Sequence, residues 1–206
     1  MNHLVLSAIV YENELRYTKD RTPLCTLKLG YEFHDRKEAK QAELKAVAQG
    51  DWAEKVHLAC PKGAIAIFQG VWEMWGDSEK RSWQFSLNRI PTIVSNPFSL
   101  NRLYLVGRLG KDPNLKFFES GAVQATFSLA VNRGKEMPAD WHQCEVWGQK
   151  AETIGNYARK GSLIGLETSL FWWSWRDRET GARTARPVAR VEQVDLLGRS
   201  PAQEAA

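Results

Sequence analysis

Three cysteines in 206 residues, Cys25, Cys60 and Cys144, are odd in number, far apart and never in CxxC spacing. That usage argues against a disulfide framework or a zinc site and fits a reducing cytoplasm. No apolar run approaches the length of a membrane span, and the opening residues lack a basic stretch followed by an apolar one. Phosphate loop, nucleophile elbow and HExxH motif are all missing. The histidines, His3, His34, His57 and His142, share no ligand spacing with one another or with cysteine, so no metal is expected. Carboxylates such as Asp112 and Glu152 occur, but nothing sets a pair of them apart for acid–base work. The reading is therefore non-enzymatic, with no cofactor. Charge of one sign is also scarce: Lys plus Arg number 28 against 24 Asp plus Glu, for a pI near 9.0. That excess lies mainly in the second half and suits a polyanionic partner without demanding one.

What the chain does have is tryptophan, nine residues of it, within an ordinary hydrophobic fraction of 43%. It also repeats itself with a period of 98 to 100 residues. Leu4-Val5-Leu6-Ser7-Ala8 returns as Leu103-Tyr104-Leu105-Val106-Gly107, and Leu15-Arg16-Tyr17 as Leu115-Lys116-Phe117. Cys25-Thr26-Leu27-Lys28-Leu29 returns as Ala125-Thr126-Phe127-Ser128-Leu129. Gly50, Ala53-Glu54 and Lys62-Gly63 return as Gly148, Ala151-Glu152 and Lys160-Gly161. Single matches of this kind are cheap; the whole set in one order and register is not. Between the copies, Pro91 to Pro97 forms a segment whose two prolines oppose helix and central strand. The expected domains are 1–90, a linker at 91–100, 101–198, and a short tail at 199–206.

Each copy begins with period-two runs, passes through a short helical stretch and returns to strands. In the second copy the strands read 102–109, 123–132, 141–147, 163–175 and 184–196, with a helix from Lys150 to Tyr157. Gly161 is expected as its left-handed C-cap. Five strands with one helix between the third and fourth is the order of an OB fold, so the fold class is all-β: two tandem five-stranded barrels. Gly107-Arg108-Leu109-Gly110 has the GxxG form of a backbone clamp but lacks the helix pair such a module needs, and reads as a turn. The mixed charges from Glu32 to Lys40 read as a solvated loop.

Strand alternation places Trp141, Gln143, Glu145 and Trp147 on one face, which their polar companions mark as wet, with Cys144, Val146 and His142 facing inward. In the fourth strand Ile164, Leu166, Leu170 and Trp172 take inward parity, while Glu167, Ser169, Phe171, Trp173 and Trp175 point outward. Arg176, Arg178, Arg183 and Arg186 follow around a turn at Glu179-Thr180-Gly181. Rings beside guanidinium groups are what sequence-tolerant single-strand binding needs: bases stack while cations meet phosphates. Core packing explains Trp172; a protein–protein surface is the other reading of the exposed rings.

At these residues the second half resembles the bacterial single-stranded-DNA-binding protein family. The resemblance runs through Asn101 to Pro113, Phe127 to Arg133, Asp140-Trp141-His142, Val146 to Glu152, Tyr157 to Gly161 and Trp175. It implies an OB fold, DNA wrapped over several such folds, and stacking by Trp141, Trp147 and Trp175. The first half is similar only in its opening, Asn2 to Ser7, and its helix region, where it resembles divergent family members and a tail-less primosomal relative equally. The loop between Arg133 and Asp140 lacks the aromatic that many members carry, and no long tail with an acidic, aromatic tip is seen. Two folds per chain, where most members have one, imply a homodimer carrying four barrels. The expected DNA contacts are Trp141, Trp147, Trp173, Trp175, Arg108, Arg133, Lys160, Arg176 and Arg178, with Trp75 in the first copy. The expected function is sequence-nonspecific binding of single-stranded DNA in replication, repair or recombination. The alternatives are a primosome-type accessory factor and an OB-type assembly module. Aligned on the repeat, Trp141 falls on Glu43, Trp147 on Gln49, Trp173 on Trp75 and Trp175 on Asp77. The first copy is thus expected to serve assembly or weak contact, and the second to grip DNA.

Overall fold

The computed structural model describes residues 1–35, 38–76, 82–96, 98–134, 137–177 and 180–198. The chain forms two compact units, one spanning His3–Arg102 and the other running from Leu103 onward together with Met1–Asn2.

In the first unit, β1 (Asn2–Tyr17), β2 (Pro23–Asp35) and β3 (Glu38–Gln49) precede α1 (Ala53–Ala59), β4 (Ile65–Trp75), β5 (Ser82–Leu87) and β6 (Thr92–Ile93). Strand β1 serves two neighbours. Leu4 to Ile9 pair with β4, and from Ile9 onward the strand pairs with β2. A bulge between Val10 and Glu12 makes the turn from one partner to the other, as an extra residue bends and twists a strand. The Tyr11 ring fills the space over Gly30, where a Cβ would lie 2.2 Å from it. The ladder continues β2–β3, closes through a parallel pairing of β3 with β5 (Ala46 opposite Phe85), and returns through β5–β4 to β1. Alternate residues point inside: Leu4, Leu6, Leu27, Leu29, Phe68, Trp72 and Phe85 are buried. Helix α1 is short, and its end is tied down by Asn13, whose Nδ2 donates to the carbonyls of His57 and Cys60 at 2.8 and 2.7 Å.

The second unit repeats this wiring. It comprises β7 (Asn101–Leu109), β8 (Asn114–Phe117), β9 (Val123–Val131), β10 (Asp140–Trp147), α2 (Gln149–Tyr157), β11 (Leu163–Arg176) and β12 (Arg183–Gly198). Strand β7 pairs with β11 and β9, β9 with β10, β10 with β12 in parallel (Cys144 opposite Ala189), and β12 with β11. The ladder again returns to its first strand, in the five-strand order expected. Equivalent backbone bonds recur across the repeat. Gly50 N–H donates to Pro23 and Gly148 N–H to Val123, while Gly63 N–H donates to Val10 and Gly161 N–H to Leu109. All four glycines have φ between +67° and +87°, a region that penalises any side chain.

Several expectations need correction. The charged stretch read as a loop is a hairpin: β2 runs to Asp35 and β3 starts at Glu38, with Lys40 Nζ 2.6 Å from Asp35 Oδ2. Tyr31 and Phe33 keep the inward face of β2 apolar here, while β3 opens on four exposed residues, Glu38 to Gln41, so the mixed charges hide the strand signal. Residues 91–100, read as a linker, carry β6, which pairs with β4, and Leu100 accepts a bond from Ser7 N–H. Strand β8 went unread because only Leu115 of its residues is not exposed. Gly161 is not the helix cap. Helix α2 stops at Tyr157 because Ala158 is extended, and Arg159 Nη1 bonds the carbonyls of Gly155 and Ala158. Of the GxxG glycines, Gly107 lies within β7 rather than in a turn. Its missing Cβ makes room for the Ala130 carbonyl.

Candidate nucleic-acid interface

The site is built on β10, whose residues alternate between exposed or half-exposed and buried from Trp141 to Trp147. His142, Cys144 and Val146 face the core as their parity requires. Burial pushes the His142 pKa down to about 3 and the Cys25 and Cys60 thiols up to about 11, with Cys144 raised also. All three thiols are free and buried.

On the outer face, Trp141 is 51% exposed and lies across Gly110, where a Cβ would fall 2.3 Å from the ring. Trp147 stacks on Phe118, with centroids 5.5 Å apart and planes inclined by 27°. Lys116 Nζ sits 4.7 Å from the Phe118 centroid. A tight turn presents Phe118: its N–H donates to Ala122, and Gly121 N–H donates back to its carbonyl. Farther along, β11 and β12 extend as a hairpin arm in which Trp173 and Trp175 are exposed, 5.8 Å apart. The Arg186 guanidinium covers both, at 4.9 and 5.8 Å from their ring centroids, within the range of a cation–π contact.

Between these ring pairs lies a tighter group. Arg190 is 3.8 Å from the Phe171 centroid, and its Nε donates to Glu145 Oε1 at 2.7 Å. Phe171 has the outward parity expected, yet Arg190 reduces it to 5% exposure. Trp172, expected in the core, is only half-buried. It sits opposite Pro187, past the last pairing of β11 with β7, where the arm leaves the barrel.

The basic candidates divide. Arg108 is exposed, with Nη1 2.8 Å from the Gly161 carbonyl. Lys160 is exposed too, its backbone N–H held by Asp112 Oδ1 at 2.6 Å. Arg176 is exposed at the arm's end, and Arg178 lies outside the described residues. Arg133 turns away from the rings toward the buried Asp140, with Nε 3.6 Å from Oδ2. Phe118, Lys116 and Arg190 were missed. The Phe117-Phe118 pair ahead of Gly121 signalled the first two, and the shared parity of Arg186 and Arg190 in β12 signalled the third.

In the first unit Trp75 is 48% exposed. At the positions matched to Trp141 and Trp147 stand Glu43, 2.9 Å from Lys28, and Gln49. Lys28 also reaches Glu12 at 3.8 Å, so this face is a ladder of opposite charges. Asp77, matched to Trp175, lies outside the described residues. Among the described residues no group of His, Cys, Asp and Glu could hold a metal, and no helix is long and apolar enough to cross a membrane.

Comparison with known proteins adds an independent line. The model of the single-strand binding protein family matches residues 100–197. Single-stranded DNA-binding protein 1 of Synechocystis sp. is 52% identical over 103 residues, which cover 48% of this chain and 85% of that protein. Single-stranded DNA-binding protein A of Bacillus subtilis is 40% identical over 103 residues, 48% of this chain and 59% of that one. Over nearly the whole length, the wild-type single-stranded DNA binding protein of Thermus aquaticus has a similar fold. Its TM-score is 0.76 at 21% identity, covering 98% of this chain and 95% of that chain.

Proposed function

The chain belongs to the single-strand binding protein family, and on that premise we propose that it binds single-stranded DNA without regard to sequence. It is a non-enzymatic protein of replication, repair and recombination, working in the cytoplasm. One observation carries the reading: Trp141, Trp147, Trp173 and Trp175 are exposed on the second barrel, among cationic side chains. Every base has a π-face, so stacking tolerates any sequence, while Arg and Lys follow the phosphates. Arg108, Lys160 and Arg176 are the phosphate contacts in this reading; Arg133 serves the fold through Asp140. The domains act as 1–90 and 101–198, the first for assembly or weak contact and the second for grip, because the Glu12–Lys28–Glu43 ladder offers DNA a net negative charge and no ring. Two chains supply four barrels as a homodimer.

Titration with oligo-dT, followed by intrinsic fluorescence, tests the function. Base stacking on exposed indoles quenches their emission. Unchanged emission at saturating oligonucleotide would leave a protein-interaction module as the better description.

A further inference from the structure

We propose that Arg190, held over the ring of Phe171, is itself a base-stacking platform, and that Glu145 cancels its charge so that this position takes a nucleobase rather than a phosphate. The proposal deepens the single-strand-binding reading and rests on it.

A carboxylate in the middle of a face that meets a polyanion is unfavourable unless something offsets it. Glu145 shares its outer face with Trp141 and Trp147, and its side chain is only 14% exposed. Its Oε1 accepts from Arg190 Nε at 2.7 Å, and Oε2 lies 3.4 Å from Gln124 Nε2. Both strand registers enforce this placement: Arg190 is opposite Glu145 on β10 and opposite Ser169 on β11, one alternate position from Phe171.

The consequence is a layered stack. Phe171 forms the floor and the guanidinium lies 3.8 Å above its centroid. The carboxylate fixes the rotation of the guanidinium from one edge. The Arg190 side chain keeps 27% exposure, so part of it is reachable from solvent. A guanidinium is planar and delocalised, and bases stack on its plane as they do on an indole. An Arg with no carboxylate partner would instead take a phosphate, its preferred bidentate ligand. Arg186 differs in having two rings beneath it and a place on the exposed arm.

The test is oligo-dT affinity across a KCl series for the wild type, Arg190→Lys and Glu145→Gln. Lysine keeps the charge and loses the plane. Arg190→Lys is therefore expected to weaken binding about fivefold or more at every salt concentration, the lower end of what one stacked base contributes, with the salt slope unchanged. Glu145→Gln uncovers the Arg190 charge and is expected to steepen the slope by about 0.7, one further phosphate neutralised. Should Arg190→Lys fail to fold, the double variant Glu145→Gln, Arg190→Gln replaces it: neutral as a pair and without the plane, it should show the same loss at the same slope. Wild-type affinity retained by the plane-less variant, or an unchanged slope in Glu145→Gln, would overturn the proposal. Either result with the wild type still binding removes this inference alone; a wild type that does not bind removes the function beneath it.

Discussion

Trp147 and Trp172 show how little the identity of a residue says without its surroundings. Trp147 is 40% exposed and leans on Phe118. Its replacement by Ala is expected to cost about 1–3 kcal/mol of oligonucleotide binding, the contribution of one stacked base, while calorimetry finds the melting temperature little changed. Trp172 is half-buried at the root of the arm, so Trp172→Ala should destabilise by less than the roughly 3–5 kcal/mol typical of a fully buried ring. A buried histidine adds a pH term. His142 titrates near 6.5 when unfolded and near 3 when folded. Below pH 6.5 the unfolded chain takes the proton first, so stability is present above that value and is lost as pH falls toward 3. The slope reaches at most about 1.4 kcal/mol per pH unit. Thermal melts from pH 7 to pH 4 should therefore fall more steeply for the wild type than for His142→Gln, and parallel curves would remove His142 as the cause.

At the scale of elements, the two barrels are one plan written twice, and the strongest check compares them. Trp75→Ala in the first barrel should weaken DNA binding less than Trp147→Ala in the second, since Glu43 and Gln49 stand where the second barrel has Trp141 and Trp147. The opposite order, with both variants folded, would make the first barrel the principal site. Glycine positions carry the plan as firmly as the apolar ones. A methyl on Gly107 would lie 2.3 Å from the Ala130 carbonyl oxygen, so Gly107→Ala should lower the unfolding free energy read from a denaturation curve by about 1–3 kcal/mol, the usual cost of overpacking. The barrels were legible because alternation and spacing are local signals: β9, β10 and α2 fall within a residue or two of where periodicity puts them. What stayed hidden was non-local. The cover over Phe171 comes from Arg190 on another strand, and the buried partner of Arg133 is reached across a loop. Strands β6 and β8 were missed because they are short and exposed, and so bear no apolar rhythm.

For the whole molecule, the modest charge excess and the Arg-flanked rings imply binding that weakens with salt. The logarithm of affinity should fall with the logarithm of salt by about 0.7 for each phosphate neutralised. A flat response would leave stacking without its electrostatic partner. Light scattering at micromolar concentration should return the mass of two chains; a monomer would contradict the four-barrel assembly.

The arm of β11 and β12 has a further consequence. Beyond Thr168, β11 no longer pairs with β7, and β12 meets β10 only at Ala189 and Arg190. From Phe171 to Arg176 and back from Arg183 to Val188, the ladder is therefore a two-stranded ribbon, and an isolated ribbon is marginally stable in water. Its amide hydrogens should exchange with deuterium through local opening, long before those of Leu105 or Phe127 inside the barrel. The rings of Trp173 and Trp175 thus ride on backbone less protected than that of the barrel beneath. A strand of DNA laid across them should close that opening and slow exchange in the arm while leaving the barrel's rates unchanged.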